Sequence, residues 1–188
     1  MGKRPLHRLR SFAAAGLVVA WLLATSASAQ PSRVSDREVK AIFLFNFAQF
    51  VDWPPAAFDG PLAPIVIGVL GEDPFEETLD AIIKGEIVKN RQLLVARFRN
   101  LEELSACHIL FVSASETQRY DRILTALRGR PTLTVGETDG FATRGGMVRF
   151  ITDRNRVGLQ VNLKAAKNAG LTISSNLLRP ARIVDSAN

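Results

Sequence analysis

The sequence predicts an α/β fold: a layered, largely parallel β-sheet of about six strands flanked by helices, in a single domain. Six short apolar, strand-like runs recur along the chain, and stretches with helical start signals lie between several of them. That alternation argues for helices layered on a mainly parallel sheet. About 160 residues remain once an N-terminal export segment is set aside, enough to bury one real core.

Residues 1–29 read as a secretory signal. Lys3, Arg4, Arg8 and Arg10 form a basic start, Phe12 to Leu23 is a short apolar run, and Ala27-Ser28-Ala29 is a small-x-small cleavage site. That order marks an export signal cleaved after Ala29. The apolar run is shorter than the roughly 20 residues a membrane span needs. Residues 30–37 are expected to be a linker, 38–184 the α/β domain and 185–188 a C-terminal tail. The expected location is the periplasm.

Val39 to Trp53 is the first predicted helix. Val39, Phe43, Phe47 and Phe50 fall on one helical face, and Pro54-Pro55 ends the run. Phe45 projects instead among Glu38, Gln49 and Asp52 on the polar side, either packed against a loop or exposed at a partner surface. Strands are expected at Ile65–Leu70, Leu93–Phe98, Ile109–Val112, Leu133–Val135, Met147–Ile151 and Val157–Val161. Asp73-Pro74 with Glu76 has the spacing of a capped helix start, running to about Lys84. Ser115 with Gln118 offers a second start, for a helix to about Leu127. Leu163–Ala169 is a third helix, stopped by Gly170. The last two strands are close enough for an antiparallel hairpin through Asp153–Arg156.

Composition narrows the chemistry. Removing residues 1–29 takes away four Lys/Arg and no Asp/Glu, so the net charge falls from +6 to +2. The remaining Arg residues are scattered, with no long basic run, which argues against nucleic acid. One histidine, His108, and one cysteine, Cys107, remain. A zinc site needs three or four ligands, and consecutive strand side chains face opposite ways, so neither a metal site nor a Cys–His dyad is expected. Gly68-Val69-Leu70-Gly71-Glu72-Asp73 lacks the pattern of a phosphate loop, and acids stand where a phosphate would approach. Glu137 and Asp139 could act as an acid/base pair, but turn chemistry alone explains them in Glu137-Thr138-Asp139-Gly140. No catalytic residue and no cofactor is expected.

Five blocks, in order, resemble the YfiR-like family. They are Lys40-Ala41-Ile42-Phe43-Leu44-Phe45-Asn46-Phe47 with Phe50-Val51-Asp52-Trp53-Pro54; Ile67-Gly68-Val69-Leu70-Gly71 with Asp73-Pro74-Phe75; Cys107-His108-Ile109-Leu110-Phe111; Leu133-Thr134-Val135 with Gly140-Phe141-Ala142 and Gly145-Gly146-Met147-Val148; and Val161-Asn162 with Ala169 to Ser175 and Leu177-Leu178. The resemblance implies an exported signalling regulator rather than an enzyme. It would bind the periplasmic sensor region of an inner-membrane receptor, a diguanylate cyclase or a histidine kinase, and hold down cyclic di-GMP and biofilm formation where the target is a cyclase. A homodimer and a small ligand stay open as further partners. The alternative is a periplasmic small-molecule-binding protein that feeds a kinase or transporter. The better-described members form disulfides; this chain, with Cys107 alone, has no internal bridge to make. The candidate partner residues are Phe45, Gln49 and Asp52. Ligands of open α/β sheets bind beyond the carboxyl ends of the strands, which nominates Gly71, Ser113, Glu137 and Asn162.

Overall fold

Ser35 accepts a hydrogen bond from the Glu38 N–H at 3.2 Å, and this Ser-x-x-Glu start opens helix α1 (Asp36–Phe50). The computed structural model describes residues 35–186 apart from Asn155. The expected signal segment, its cleavage point after Ala29, the linker up to Val34 and the last two residues of the tail lie outside the described residues. Helix α1 begins two residues inside the span expected to be linker and stops three residues short of Trp53.

The buried stripe of α1 is not the one its aromatic spacing suggested. Ala41, Leu44, Phe47 and Ala48 are fully buried. Val39, Phe43 and Phe50 are only half-buried. The small alanines let the helix backbone sit close to its neighbours, and the half-buried Phe43, Phe45 and Phe50 flank the contact. Phe43, Phe47 and Phe150 form one aromatic group with centroids about 6 Å apart, Phe47 stacked on both of the others.

Beyond α1 the chain forms strands β1 (Val51–Asp52), β2 (Ile65–Leu70), β3 (Ile87–Val88), β4 (Arg91–Phe98), β5 (Ile109–Val112), β6 (Leu133–Gly136), β7 (Val148–Asp153), β8 (Arg156–Val161), β9 (Thr172–Ile173) and β10 (Arg182–Ile183). Helices α2 (Glu77–Ile83), α3 (Tyr120–Ala126), α4 (Leu163–Asn168) and α5 (Ser175–Leu178) lie between them. The main sheet has eight strands in the order β10-β8-β7-β6-β5-β2-β4-β3. The expected six are all present within a residue or two, and the additions β3 and β10 are two-residue edge strands. β1 and β9 form a separate antiparallel pair, Val51 opposite Ile173.

The inner strands β4, β2, β5, β6 and β7 are parallel. Numbered by their own sequence order they run 2-1-3-4-5, a doubly wound arrangement. β7 and β8 form the expected antiparallel hairpin, closing at Asp153 opposite Arg156. Two cores result. One face of the sheet packs Ile67, Val69, Phe111, Val135 and Phe150 against α1, α2, α4 and α5. The other packs Leu70, Leu110 and Val112 against Tyr120, Ile123 and Leu127 of the α3 region and against Phe141.

Two helix starts differ from expectation. α2 begins at Glu77 rather than after Asp73, because Phe75 leaves the helical path to bury fully against Phe111, centroids 4.8 Å apart. Asp73 instead accepts from the Phe75 N–H at 2.7 Å, and Glu76 takes φ +52°. The Ser115 start becomes a 3-10 turn over Ala114–Arg119 that leads into α3. Tyr120 is fully buried there, and its hydroxyl donates to the Ser113 carbonyl at 3.2 Å. The third helix runs as expected, ending at Gly170 with φ +75°.

Candidate functional site

Three of the four ligand-site candidates share one edge of the sheet. Gly71, Ser113 and Glu137 follow β2, β5 and β6, whose parallel alignment brings their carboxyl ends together. Asn162 does not join them. β8 runs antiparallel to β7, so its end lies at the opposite edge, where the Asn162 N–H donates to the Met147 carbonyl at 2.8 Å. Its side chain is fully buried and used. Oδ1 accepts from the Ala165 N–H and so caps α4, while Nδ2 donates to the Ala142 carbonyl and to Ser186 Oγ.

The order reversal between β2 and β5 is where an open crevice is expected in a doubly wound sheet. Here the chain fills it. Gly71 has φ +90°, and a Cβ at that position would stand 2.4 Å from Ser115 Oγ. Ser115 Oγ accepts from the Glu72 N–H at 3.0 Å. Glu116, only 3% exposed, packs beside Gly71 and pairs with Arg119 at 2.7 Å. Ser113 is buried and its N–H donates to the Leu70 carbonyl. Glu137 pairs with Lys40 of α1 at 2.7 Å, and both side chains are largely shielded from water. Asp139 pairs with Arg149 instead, so the two carboxylates are held by different cations and do not face each other as an acid/base pair.

At the amino ends of the same strands, His108 organises a closed cluster. Its Nδ1 accepts from the Val66 N–H at 3.1 Å and its Nε2 donates to the Ala57 carbonyl at 3.1 Å. That pattern selects the neutral tautomer. Burial pulls its pKa below the ordinary imidazole value, against the Ala57 carbonyl, which favours the charged ring. Phe58 stacks on the ring at 4.4 Å, Arg91 lies 3.7 Å over the far face of Phe58, and Trp53 Nε1 donates to the His108 carbonyl. Cys107 faces the second core, so the two side chains part as expected. Burial pushes its thiol pKa up to about 12. Among the described residues no three His, Cys, Asp or Glu side chains gather as metal ligands.

Two of the partner-site candidates, Phe45 and Gln49, lie on the outer side of α1, and the third, Asp52, lies on β1. Gln49 and Asp52 are exposed, and Asp52 pairs with Lys89 at 2.5 Å. Phe45 is half-buried and packs against the first core. The exposed apolar residue of the stripe is Ile42, 40% accessible. Glu38, Ile42, Phe45 and Gln49 follow one another at helical spacing on α1, whereas Asp52, expected on the same helical face, lies past the helix end on β1, where the chain turns extended to pair with β9. That spacing was visible in the sequence; what hid Ile42 was the choice of the buried face.

A cleft of about 720 Å³ opens between the C-terminal end of α3 and α4. Arg128, Arg144 and Lys164 stand around it. Nothing in the sequence joined these three, which are far apart in the chain and meet only through the sheet.

A family model described as DUF4154, YfiR/HmsC-like, matches residues 37–182. No curated protein matches the sequence. Among solved structures, an ABC domain in complex with L-Trp from Streptococcus pneumonia is similar, with 11% identity and a TM-score of 0.47 over 64% of this chain and 55% of that one. The chain thus spans about half the length of that structure.

Proposed function

Because the chain belongs to the YfiR/HmsC-like family, we propose that it is an exported, periplasmic signalling regulator that binds the sensor region of an inner-membrane receptor. The reading is of a binding protein rather than an enzyme. The observation that carries it is the extent of the family match, residues 37–182, which takes in nearly every described element. The receptor in this reading is a diguanylate cyclase, and binding lowers its output of cyclic di-GMP.

The docking surface proposed for the receptor is the outer stripe of α1, Ile42, Phe45 and Gln49, with Asp52 just beyond it on β1. Ile42 supplies exposed apolar area, Phe45 a partly shielded aromatic beside it, and Gln49 and Asp52 a polar rim. An apolar centre with a polar rim is the anatomy of a protein interface. The test is capture of the receptor from detergent-solubilised membranes, with cyclic di-GMP measured in cells lacking the gene. Expected are co-purification with a cyclase and raised cyclic di-GMP on deletion. Unchanged cyclic di-GMP on deletion, with no receptor captured, would overturn the reading. The cleft between α3 and α4 favours a second reading, in which a bound small molecule is the signal passed to a kinase or transporter.

A further inference from the structure

We propose that the cleft between α3 and α4 is a binding site for a small organic anion with an apolar body. Its volume, about 720 Å³, lies within the roughly 300–1,000 Å³ usual for ligand sites. Arg128 follows α3, Lys164 stands in the first turn of α4, and Arg144 enters from the loop before β7. Asp185 is the one acid among the lining residues. Arg144 is held in place, paired with Asp121 at 2.9 Å and set 5.7 Å over the Tyr120 ring. Arg128 and Lys164 make no ion pair among the described residues. Cations that converge on one cleft raise the local concentration of anions within it.

The lining also supplies a hydroxyl. Thr134 is 2% exposed and lines the cleft. Its Oγ1 accepts from the Met147 N–H at 3.0 Å, which leaves the hydroxyl proton to donate to a bound group. Leu124, Leu127, Met147 and Ala165 add apolar wall, which an inorganic anion would leave in contact with water. Gly145 widens the mouth: at φ +107° its missing Cβ would meet nothing within 4 Å. Charge at the rim, a hydroxyl in the lining and apolar walls together fit a carboxylate or phosphate head on an apolar body.

The inference goes beyond the receptor reading and stands apart from it, because binding is measured without a receptor. The test is calorimetric titration of the purified protein with 1-naphthoate, 1-naphthyl phosphate, 1-naphthamide and inorganic phosphate. One of the two naphthyl anions is expected to bind one-to-one, and the tighter of them identifies the head group. The neutral amide and inorganic phosphate should each bind at least tenfold more weakly. Arg128→Gln with Lys164→Gln should weaken the anion at least tenfold while leaving the melting temperature near wild type, since both side chains are exposed. Lys167→Gln, on the same helix but outside the cleft, should bind as wild type. Failure of both anions to bind, equal binding by the double variant, or equal binding of the amide or inorganic phosphate overturns the proposal. None of these outcomes bears on receptor capture through α1, so the two readings fail separately.

Discussion

His108 carries two backbone hydrogen bonds on its ring and accepts two on its carbonyl, from Trp53 Nε1 and the Leu133 N–H, tying the loop 53–64 to the starts of β2, β5 and β6. A charged ring would put a proton on Nδ1, where the Val66 N–H already points. Arg91 opposes the charge and Asp59 favours it, but burial dominates and lowers the pKa. The unfolded chain takes up this proton near pH 6.5 and the folded chain resists it. Stability is therefore complete above about pH 6.5 and falls as pH drops toward the folded pKa, by at most about 1.4 kcal/mol per pH unit. Urea unfolding should show a lower stability at pH 5.5 than at pH 7.5, and the difference should shrink in His108→Gln. The carboxyl of Asp80, held down by Arg97, begins to lose its contribution only as pH falls into the ordinary carboxylate range and so leaves this window clear. Two glycines separate two kinds of constraint. A Cβ at Gly146 would stand 2.4 Å from the Phe141 ring, which is fully buried. Gly145 has room but sits at positive φ. Gly146→Ala should cost about 2–3 kcal/mol by overpacking, and Gly145→Ala about 1–2 kcal/mol by strain, measured by urea titration. Cys107, with its thiol pKa pushed up by burial, should resist alkylation in the native state, and its melting should not respond to reductant. Cys107→Ala should cost about 1–2 kcal/mol.

At the scale of elements, α1 shows how a correct helix can be assigned the wrong buried face. The period is plain in the sequence, but the helix ends at Phe50, ahead of the expected stop at Pro54-Pro55, where the chain turns into β1, and it carries apolar residues around most of its circumference. Which arc is buried was decided by α2, α5, β5 and β8, all of which α1 contacts. Phe47→Ala should lose about 3–5 kcal/mol, as a fully buried aromatic does. Phe45→Ala, half-buried, should lose less, about 1–2 kcal/mol. Ile42→Asp should melt within about 0.5 kcal/mol of wild type yet lose receptor capture if α1 is the docking stripe. An Ile42→Asp protein that keeps full capture and full repression would remove α1 from the interface. The start of α2 was misplaced for a related reason. A local capping pattern at Asp73 was overruled by the burial of Phe75 and by Arg97, which reaches from β4 to Asp73, Asp80 and the Glu76 carbonyl.

Across the whole molecule, the two ends of the domain are interlocked. The α1 exit pairs with β9 through Val51 and Ile173, and Leu171 and Leu177 complete the core against which α1 packs. A chain cut after Asn168 should therefore lose cooperative folding, rather than merely fray. Trp53 is the one tryptophan among the described residues, so its fluorescence and far-UV circular dichroism should report a single coincident transition in the intact protein and none in the truncated one. Charge is also divided along the chain. Residues 36–86 hold ten acids and three bases, whereas 140–184 hold eight bases and one acid. The sheet order places the later set toward the β8 and β10 edge, and the cationic cleft draws on it through Arg144 and Lys164.

The sequence by itself determined the fold class, the six main strands, the β7–β8 hairpin, the third helix with its glycine stop, and the family. Each of these is written in local patterns: apolar runs, caps, turn residues and ordered motif blocks. The tertiary structure alone decided which arc of α1 is buried, where α2 begins, and that Asn162 caps a helix at the far edge of the sheet from Gly71 and Ser113. It also decided that Glu137 is held by Lys40, and that Arg128, Arg144 and Lys164 share one cleft. The physical reason is the same in each case. A side chain's type and spacing are local, but whether its polar atoms are already satisfied and whether its surface is covered depend on groups brought close only by the folded sheet.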